Sequence, residues 1–273
     1  MTSLERAARP VAWAEPSPLL RLATDTVAIA QSELTKLRHD PFELFTRAVQ
    51  PMLWLLVFGQ VLARTRAIPT GSVPYLDFLA PGILCQSALF IAIFYGIGVI
   101  WERDLGIVQK LLVTPAPRSA LVLGKAIAGG TKGLVQAIVI YVIAFAIGVH
   151  LRLELLPMLA VAALVMAGSG LFATFSLIVA CLVRSRERFM GIGQLMTMPV
   201  FFASSAIYPV ALMPAWLQAL AMVNPLTYMV DGIRSLMVVG GESAHGLGLD
   251  AAVLGVGLAL LVTIAARLYP RLA

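Results

Sequence analysis

Residues 101–125, WERDLGIVQKLLVTPAPRSALVLGK, form a polar island between two long apolar runs at 78–100 and 126–149. Within the island, four apolar residues recur at the spacing of one helix face: Ile107, Val108, Leu111 and Leu112. The segment TPAP at 114–117 ends that helix, because proline lacks an amide N–H and restricts the residue before it. The pattern predicts a short amphipathic helix displayed at a membrane face, where another protein can push on it.

The composition of the whole chain excludes a water-soluble globular protein. Of its 273 residues, 60% are hydrophobic and only 12% are charged, and the mean hydropathy is +0.91. A soluble domain has about 25% charged residues, and a core of this size could not hide so much apolar surface from water. The chain is therefore predicted to be an integral membrane protein.

The apolar residues are grouped into runs long enough to cross a bilayer as helices. An α-helix needs about 20 mostly apolar residues to cross the roughly 30 Å hydrocarbon core. Six continuous runs meet that requirement: 44–63, 78–100, 126–149, 155–183, 189–213 and 250–266. A transmembrane β-barrel would instead show alternating segments of about 10 residues. We predict an all-α integral membrane fold with six transmembrane helices, in one domain at 17–273 after a flexible tail at 1–16.

The basic residues indicate which side of the membrane the loops occupy. The chain has 20 Lys and Arg against 14 Asp and Glu, a net charge of +6. Most of the basic residues fall in the N-terminal segment, the 101–125 island, the 184–188 loop and the C-terminus. Because cytoplasmic loops carry the excess of Lys and Arg, both termini are predicted to be cytoplasmic. Membrane topology and lipid head groups account for this charge without a nucleic-acid partner, and residues 1–40 lack the pattern of a signal peptide.

Residues 17–39 have the pattern of a helix that lies on the membrane surface. Ser17 and Pro18 mark its start, since proline suits the first helical position. Four apolar residues then share one face: Val27, Ala30, Leu34 and Leu37. We predict an amphipathic interfacial helix; the alternative is a soluble helix packed on a partner.

Three prolines divide the apolar stretch at 209–237, so that it is predicted to form two short helices separated at Asn224 and Pro225. The second helix carries Asp231 and Arg234. Such broken helices on the outer face are typical of a re-entrant hairpin, which must be covered by protein or water at depth. The alternative is an interfacial loop with the Trp and Tyr residues of an aromatic belt.

The chain shows no nucleotide-binding loop and no metal-ligating cluster. Gly124 and Lys125 lack the upstream glycine spacing of a phosphate-binding loop, and GGTKG at 129–133 has the required residue types in the wrong order. The three histidines lie apart from one another in predicted loops: His39, His150 and His245. We therefore expect no cofactor bound by this chain and no catalytic centre in it.

The predicted spans also lack an energy source of their own. Ion-coupled carriers keep carboxylates within the membrane, and the centres of the six spans carry none. An intramembrane protease would need a base beside its serine, but Ser169 lies among small residues and no span contains a histidine. Cys85 and Cys181 are predicted to be buried thiols. These absences favour a partner that hydrolyses ATP and docks on the 101–125 island.

The chain resembles the ABC-2 type transporter permeases, close to the membrane subunits of daunorubicin and doxorubicin exporters, over nearly all of residues 20–270. One matching segment is YLDFLAPG at 75–82. A second resembles the cytoplasmic coupling segment of the family: Glu102, Arg103, Gly106, Leu111, Thr114, Pro115, Arg118 and 123–125. A third resembles its outer hairpin: Pro209, Pro214, Trp216, Asn224, Pro225, Tyr228, Asp231 and Arg234. The chain departs from the family at Gln109, where an acid is common, and at Ser204 and Ser205, where a Ser-Gly pair is usual.

The resemblance implies a mechanism and a set of partners. Two permease subunits, identical or different, would pair above two separate ATP-binding subunits, which would bind ATP and Mg²⁺. Closure of those subunits would push the coupling segment and the interfacial helix, and an amphipathic drug or a lipid-like molecule would leave a bacterial cell through its inner membrane. Four aromatic residues are the candidates for lining the pathway between the permease subunits: Phe90, Phe94, Phe201 and Phe202.

Three other functions compete with this interpretation. A permease for polysaccharide or glycolipid export would belong to the same architecture, although glycan channels often have aromatic-rich pore faces and this chain has only 4 Trp and 6 Tyr. An ion-coupled carrier or channel is disfavoured by the missing intramembrane acids. A scaffold without transport is disfavoured by the coupling segment, through resemblance alone.

Overall fold

The computed structural model describes residues 17–39, 41–66, 68–71, 73–183 and 185–272. Eleven α-helices are found in these ranges: α1 Pro18–His39, α2 Pro41–Leu53, α3 Gln60–Thr65, α4 Tyr75–Asp104, α5 Ile107–Val113, α6 Arg118–Ala146, α7 Leu155–Leu182, α8 Arg186–Phe202, α9 Ala215–Val223, α10 Pro225–Met237 and α11 Leu247–Leu268. A π-helix at Trp54–Gly59 joins α2 to α3, and short 3₁₀-helices occur at Val210–Leu212 and Tyr269–Leu272. The chain is thus all-helical over these ranges apart from one isolated bridge between Leu151 and Val238.

Four helices in the described ranges are long and apolar enough to cross a membrane: α4, α6, α7 and α11 with its 3₁₀ extension. Helix α4 has 30 residues, so at 1.5 Å per residue it extends about 45 Å, more than one crossing requires. The predicted spans at 78–100, 126–149, 155–183 and 250–266 fall on these four helices. The predicted spans at 44–63 and 189–213 do not each form one continuous α-helix.

The span predicted at 44–63 is interrupted by a change of helix type. Pro51 lies inside α2, and the π-helix begins three residues later at Trp54. Proline removes one backbone hydrogen bond and clashes with the preceding turn, and a wider π turn is one way for a helix to absorb that defect. The apolar composition predicted the helix but not this widening.

The span predicted at 189–213 is wrong at its C-terminal end, because α8 stops at Phe202. The side-chain Nδ2 of Asn224 donates hydrogen bonds of 2.7 Å to the carbonyl oxygens of Val200 and Ala203. The hydroxyl of Ser204 donates to the carbonyl of Phe201 at 2.6 Å. The last carbonyl groups of a helix need such partners, and here side chains supply them before the apolar run has ended.

Helix α6 begins earlier than predicted, at Arg118 instead of residue 126. Pro117 holds the extended conformation just before it. Lys125, expected in a polar loop, lies inside this helix and is 2% exposed. A buried lysine requires a compensating charge, and the partners of Lys125 define the candidate site below.

Helix α4 lies at the centre of the bundle. Most of its side chains are buried, whereas α11 exposes most of its own. Glycines allow close approach at two of the contacts: a Cβ on Gly82 would lie 2.1 Å from the carbonyl oxygen of Ala206, and one on Gly133 would lie 2.1 Å from the hydroxyl of Ser169. Small residues at helix crossings are the usual means of tight packing in membrane proteins.

The bundle has two chemically distinct ends. The coupling end consists of α1, the end of α4, α5, the start of α6 and 269–272. The hairpin end consists of the start of α4, the 147–154 turn, 203–214, α9, α10 and 238–246. Tyr75 joins parts of the hairpin end by donating to the carbonyl of Ile207 at 3.3 Å. The long helices α4, α6 and α7 connect the two ends.

Candidate functional site

Helix α5 is a short helix bounded by two residues with non-helical backbone conformations, Gly106 and Thr114. Gly106 precedes it with φ 71°, a left-handed conformation that glycine adopts without strain and that ends α4. Thr114 follows it in an extended conformation, immediately before Pro115. Val108 is fully buried while Val113 is 86% exposed. The short helix predicted in the island is therefore present, with one face on the bundle and one face open.

The residues that the resemblance assigned to coupling divide into two sets. Thr114, Pro115 and Arg118 are exposed, and Leu111 is half-buried. Glu102, in contrast, is 9% exposed and points into the protein. The carboxylate of Glu102 contacts Lys36 and Lys125 within the subunit, and its role in coupling stays a prediction.

The end of α4 is tied to the start of α8 by exposed charges. Asp104 accepts from Arg103 Nη2 at 3.0 Å and from Arg186 Nη2 at 2.7 Å. The guanidinium of Arg186 also stacks over the ring of Trp101, with its Cζ 3.6 Å from the centroid. A single exposed ion pair contributes little, but this shared arrangement links α4 and α8 beside α5.

Four charged residues from three helices form a cluster, here called the charge cluster: Glu33, Lys36, Glu102 and Lys125. The Lys125 ammonium lies 2.9 Å from Glu33 Oε1 and 2.6 Å from Glu102 Oε2. Lys36 Nζ contacts Glu102 Oε1 and lies 3.1 Å from Glu33 Oε1. Two cations thus alternate with two carboxylates, and the cluster is electrically neutral.

The electrostatics of Glu33 show how strongly the cluster is coupled. Burial would raise the pKa of the Glu33 carboxyl, but the ammonium groups of Lys125 and Lys36 outweigh it and lower the pKa from 4.5 to about 2. Tyr95 also donates to Glu33 Oε2 at 2.9 Å. Because the pKa is lowered on folding, this contribution to stability is complete above about pH 4.5 and is lost as the pH falls towards 2.

The charge cluster fastens α1 to the transmembrane bundle. Glu33 and Lys36 come from α1, Glu102 from the end of α4 and Lys125 from α6. Next to the cluster, α1 and α6 approach so closely that a Cβ on Gly124 would lie 2.6 Å from Ile29 Cγ2. Helix α1 therefore packs on α6 and is paired with the end of α4.

A second buried ion pair lies at the hairpin end. Arg234 Nη1 is 3.0 Å from Asp231 Oδ1, and Arg234 Nη2 donates to the carbonyl oxygen of Ser205 at 2.6 Å. The Ser205 hydroxyl donates to the same Asp231 oxygen at 2.6 Å. The guanidinium lies over the Phe78 ring, 3.8 Å from its centroid. This group, the hairpin pair, joins α10 to α4 and to the turn after α8.

The other predicted hairpin residues shape the turns around this pair. The side-chain oxygen of Asn224 caps α10 by accepting a hydrogen bond from the backbone N–H of Leu226 at 3.0 Å. Its side-chain nitrogen donates to the carbonyl oxygen of Val200 near the end of α8. Tyr228 donates to the carbonyl of Met222 at 2.6 Å and so closes the bend between α9 and α10. Trp216 is 67% exposed. Pro209 and Pro214 precede the 3₁₀-helix and α9 respectively.

The four aromatic residues predicted to line a pathway are not equivalent. Phe90 and Phe94 are half-buried on α4 and stack with ring centroids 6.4 Å apart. Phe202 is 40% exposed. Phe201 is fully buried against Trp54, with ring centroids 6.2 Å apart. In this conformation Phe201 packs within the subunit, and its place on a pathway stays a prediction.

Sequence reasoning missed the charge cluster as a unit. In the sequence pattern, Glu33 and Lys36 lie off the apolar face of α1, and Lys125 is the last residue of the polar island. Glu33 and Lys125 are separated by 92 positions. One signal was present: Lys125 stands immediately before a long apolar run, where an unpaired ammonium is costly.

The chain is similar in sequence to known transport permeases. A putative transport permease, ycf38 of Cyanophora paradoxa, is 30% identical over 209 residues, which cover 74% of this chain and 70% of the relative. Nodulation protein J of Rhizobium leguminosarum bv. trifolii is 31% identical over 198 residues, covering 71% of this chain and 74% of the relative. The daunorubicin resistance ABC transporter permease protein DrrB1 of Streptomyces coeruleorubidus is 24% identical over 244 residues, covering 85% and 81%. The family model for the ABC-2 type transporter matches residues 24–238, and this multi-pass membrane protein therefore belongs to the ABC-2 type transporter family.

Proposed function

We propose that this chain is the membrane-spanning permease subunit of an ATP-driven exporter, and that it moves amphipathic drugs, lipids or lipid-like metabolites out of the cytoplasm or the inner leaflet. Permeases of this family work with a separate ATP-binding subunit. The observation that carries the proposal is the placement of α5, which has an open face and is joined through Gly106 to the central helix α4.

In this proposal, two ATP-binding subunits close on two permease subunits and push α5 and α1. The charge cluster makes α1, α4 and α6 move together, because separating these helices would leave buried charges without their partners. To move a two-state equilibrium from 1:99 to 99:1, the partner must favour one state by about 5.5 kcal/mol. Binding of ATP by the partner supplies that preference, and the resulting shift opens the outward path.

The proposed arrangement in the membrane follows from the two ends of the bundle. The coupling end faces the cytoplasm of a bacterial cell together with both termini, and the hairpin end faces outwards. The α2–α3 segment and α8 complete six crossings, and α9 with α10 forms a re-entrant hairpin covered by the neighbouring helices. A second permease subunit completes the pathway.

Reconstitution with the ATP-binding protein encoded beside this chain tests the proposed function. We expect the chain alone to have no ATPase activity, and the complex to hydrolyse ATP at a rate that depends on lipid. An Arg118→Ala substitution on the open side of the coupling segment should lower that rate without changing membrane insertion. Failure of the two proteins to form a complex, or equal stimulation by wild type and R118A, would contradict the coupling role.

Cysteine labelling tests the proposed orientation. The two native cysteines, Cys85 and Cys181, are buried and can be replaced by alanine to remove background. Single cysteines at exposed positions Leu105 and Glu187 should react with an impermeant maleimide only from the cytoplasm, and one at exposed Ala244 only from outside. Labelling of the Ala244→Cys protein from the cytoplasmic side would reverse the orientation.

A further inference from the structure

Two connecting segments at the hairpin end are joined to each other by backbone hydrogen bonds. The segment at 147–154 lies between α6 and α7, and the segment at 238–246 lies between α10 and α11. The amide of Val239 donates to the carbonyl oxygen of His150 at 3.0 Å. The first segment contains His150 and the second contains His245. The two histidines therefore belong to neighbouring, bonded parts of one surface.

His150 pairs with a buried carboxylate at the start of α4. Its Nδ1 lies 2.8 Å from Asp77 Oδ2, and its backbone N–H donates to Asp77 Oδ1 at 3.3 Å. Asp77 is 2% exposed and lies in the first turn of α4, where the helix dipole stabilises a negative charge. A buried carboxylate requires a hydrogen-bonding partner. Among the described residues His150 supplies it, with a ring that is 70% exposed and open to protons from the solvent.

His245 faces a second buried carboxylate, on α10. Its Nδ1 lies 3.3 Å from Asp231 Oδ2, and neither atom has a hydrogen-bond partner in the described part of the chain. The other oxygen of Asp231 is already bound to Arg234 and Ser205 in the hairpin pair. The imidazole lies beside the Tyr228 ring, with centroids 5.0 Å apart. A proton on Nδ1 therefore joins two atoms that would otherwise stay unsatisfied.

Two buried carboxylates lie near His245 against one guanidinium. Asp231 on α10 is 2% exposed, and Asp250 on α11 is fully buried and interacts electrostatically with both Asp231 and His245. Ser243 donates to Asp250 Oδ2 at 2.6 Å, and Asp250 Oδ1 has no partner among the described residues. The guanidinium of Arg234 compensates one negative charge. A positive charge on His245 balances the second one.

The segment that contains His245 also borders a cavity of about 460 Å³ at the hairpin end. Residues 240–244 line one side of this cavity, and Asp231, Arg234 and Pro209 are among the residues that line the others. Because His245 directly follows 240–244, its contact with Asp231 fixes how closely this stretch approaches α10. The contact therefore controls access to the cavity.

We propose that His150 and His245 form a pH-dependent clasp, here called the histidine clasp, which holds the segments at 147–154 and 238–246 onto α4 and α10. Histidine ordinarily changes charge between about pH 5 and 8. Protonation makes both pairs charge-assisted, and such hydrogen bonds are roughly twice as strong as neutral ones. The clasp is thus tighter at about pH 6 than at about pH 8, where the imidazoles are neutral and the aspartates stay ionised. It lies within one subunit, so it goes beyond the proposed transport function and is tested separately from it.

Hydrogen exchange of the purified full-length protein at about pH 6 and about pH 8 tests the histidine clasp. The reporters are the amides that join the two segments, that of Val239 and that of Arg152, which donates to the Met237 carbonyl at 2.8 Å. After correction for the intrinsic pH dependence of exchange, we expect their protection to be about tenfold higher at the lower pH, because two hydrogen bonds become charge-assisted. Amides in the first half of α6, at the coupling end, are the internal reference. Equal protection of the reporters at both pH values would overturn the proposal.

Matched variants assign the effect to the two histidines. His150→Gln with His245→Gln keeps side-chain hydrogen bonding but cannot gain the charge, so it should lose the pH dependence. His39→Gln, at the end of α1, is the control and should keep it. If the double variant does not fold, H150Q alone, at its exposed position, should reduce the ratio of protection between the two pH values, and so should Asp77→Asn. A pH dependence that survives unchanged in folded H150Q/H245Q would refute the clasp.

The side of the membrane from which the clasp is titrated rests on the proposed orientation. If the hairpin end faces outwards, the clasp responds to the pH outside the cell. The cysteine-labelling experiment on Ala244→Cys decides that point independently. Labelling from the cytoplasmic side would reverse the orientation and leave the hydrogen-exchange result for the clasp intact.

Discussion

Replacing Lys125 with methionine is expected to lower ATPase stimulation and transport by at least about tenfold, and to release α1 from the bundle. The substitution keeps the length of the side chain but removes a cation that two carboxylates share. Breaking a buried ion pair by removing one partner typically costs about 3–5 kcal/mol, because the remaining charge is left without compensation. Lys36, half-exposed at the rim of the cluster, cannot balance both Glu33 and Glu102.

Two measurements distinguish this effect from a general loss of folding. Hydrogen exchange in α1 should increase in K125M, while exchange in α10 at the opposite end should not. The double variant K125M with Glu33→Gln removes one charge of each sign and leaves Lys36 paired with Glu102, so it should recover much of the lost stability and activity. Such non-additivity is the signature of a direct interaction. Normal ATPase stimulation by K125M would show that the charge cluster has no part in coupling.

The elements that the sequence predicted well are those set by local pattern. The short helix α5 ends before Pro115, as the prolines that follow it require, and the break between α9 and α10 falls at Asn224. Local pattern also located the four long apolar helices. In each case the deciding residues are neighbours in the chain, so spacing and backbone restriction are sufficient.

The elements that the sequence did not predict depend on distant partners. Helix α8 ends at Phe202 because the side chain of Asn224, more than twenty positions later, donates hydrogen bonds to carbonyl groups at its C-terminal end. Helix α6 includes Lys125 because Glu33 and Glu102 neutralise it from other helices. The histidine clasp at the hairpin end likewise joins two connecting segments to α4 and α10. No spacing within one segment could identify these contacts, since they arise only from packing.

Replacing Arg234 with methionine is expected to destabilise the protein by about 3–5 kcal/mol, the usual cost of removing one member of a buried ion pair. Arg234 is 6% exposed and Asp231 is 2% exposed. The hairpin pair also fixes the turn after α8 through the Ser205 carbonyl. Loss of the guanidinium should therefore loosen α10 from α4 and expose the hairpin end. A lower thermal unfolding midpoint and faster proteolysis at 203–214 are the measurements.

Comparison of the single variant with a double variant shows whether the ion pair or the packing of Arg234 stabilises the hairpin end. Arg234→Met with Asp231→Asn should be markedly more stable than R234M alone, because replacing both members of a buried pair is often close to neutral. Arg64→Met, at an exposed position on α3, is the control and should have little effect. Ser205→Gly should cost about 1 kcal/mol, since it removes the hydroxyl that donates to Asp231 but keeps the backbone carbonyl that Arg234 needs. If the single and double variants were equally destabilised, the contribution of Arg234 would lie in its packing against Phe78 and not in its charge.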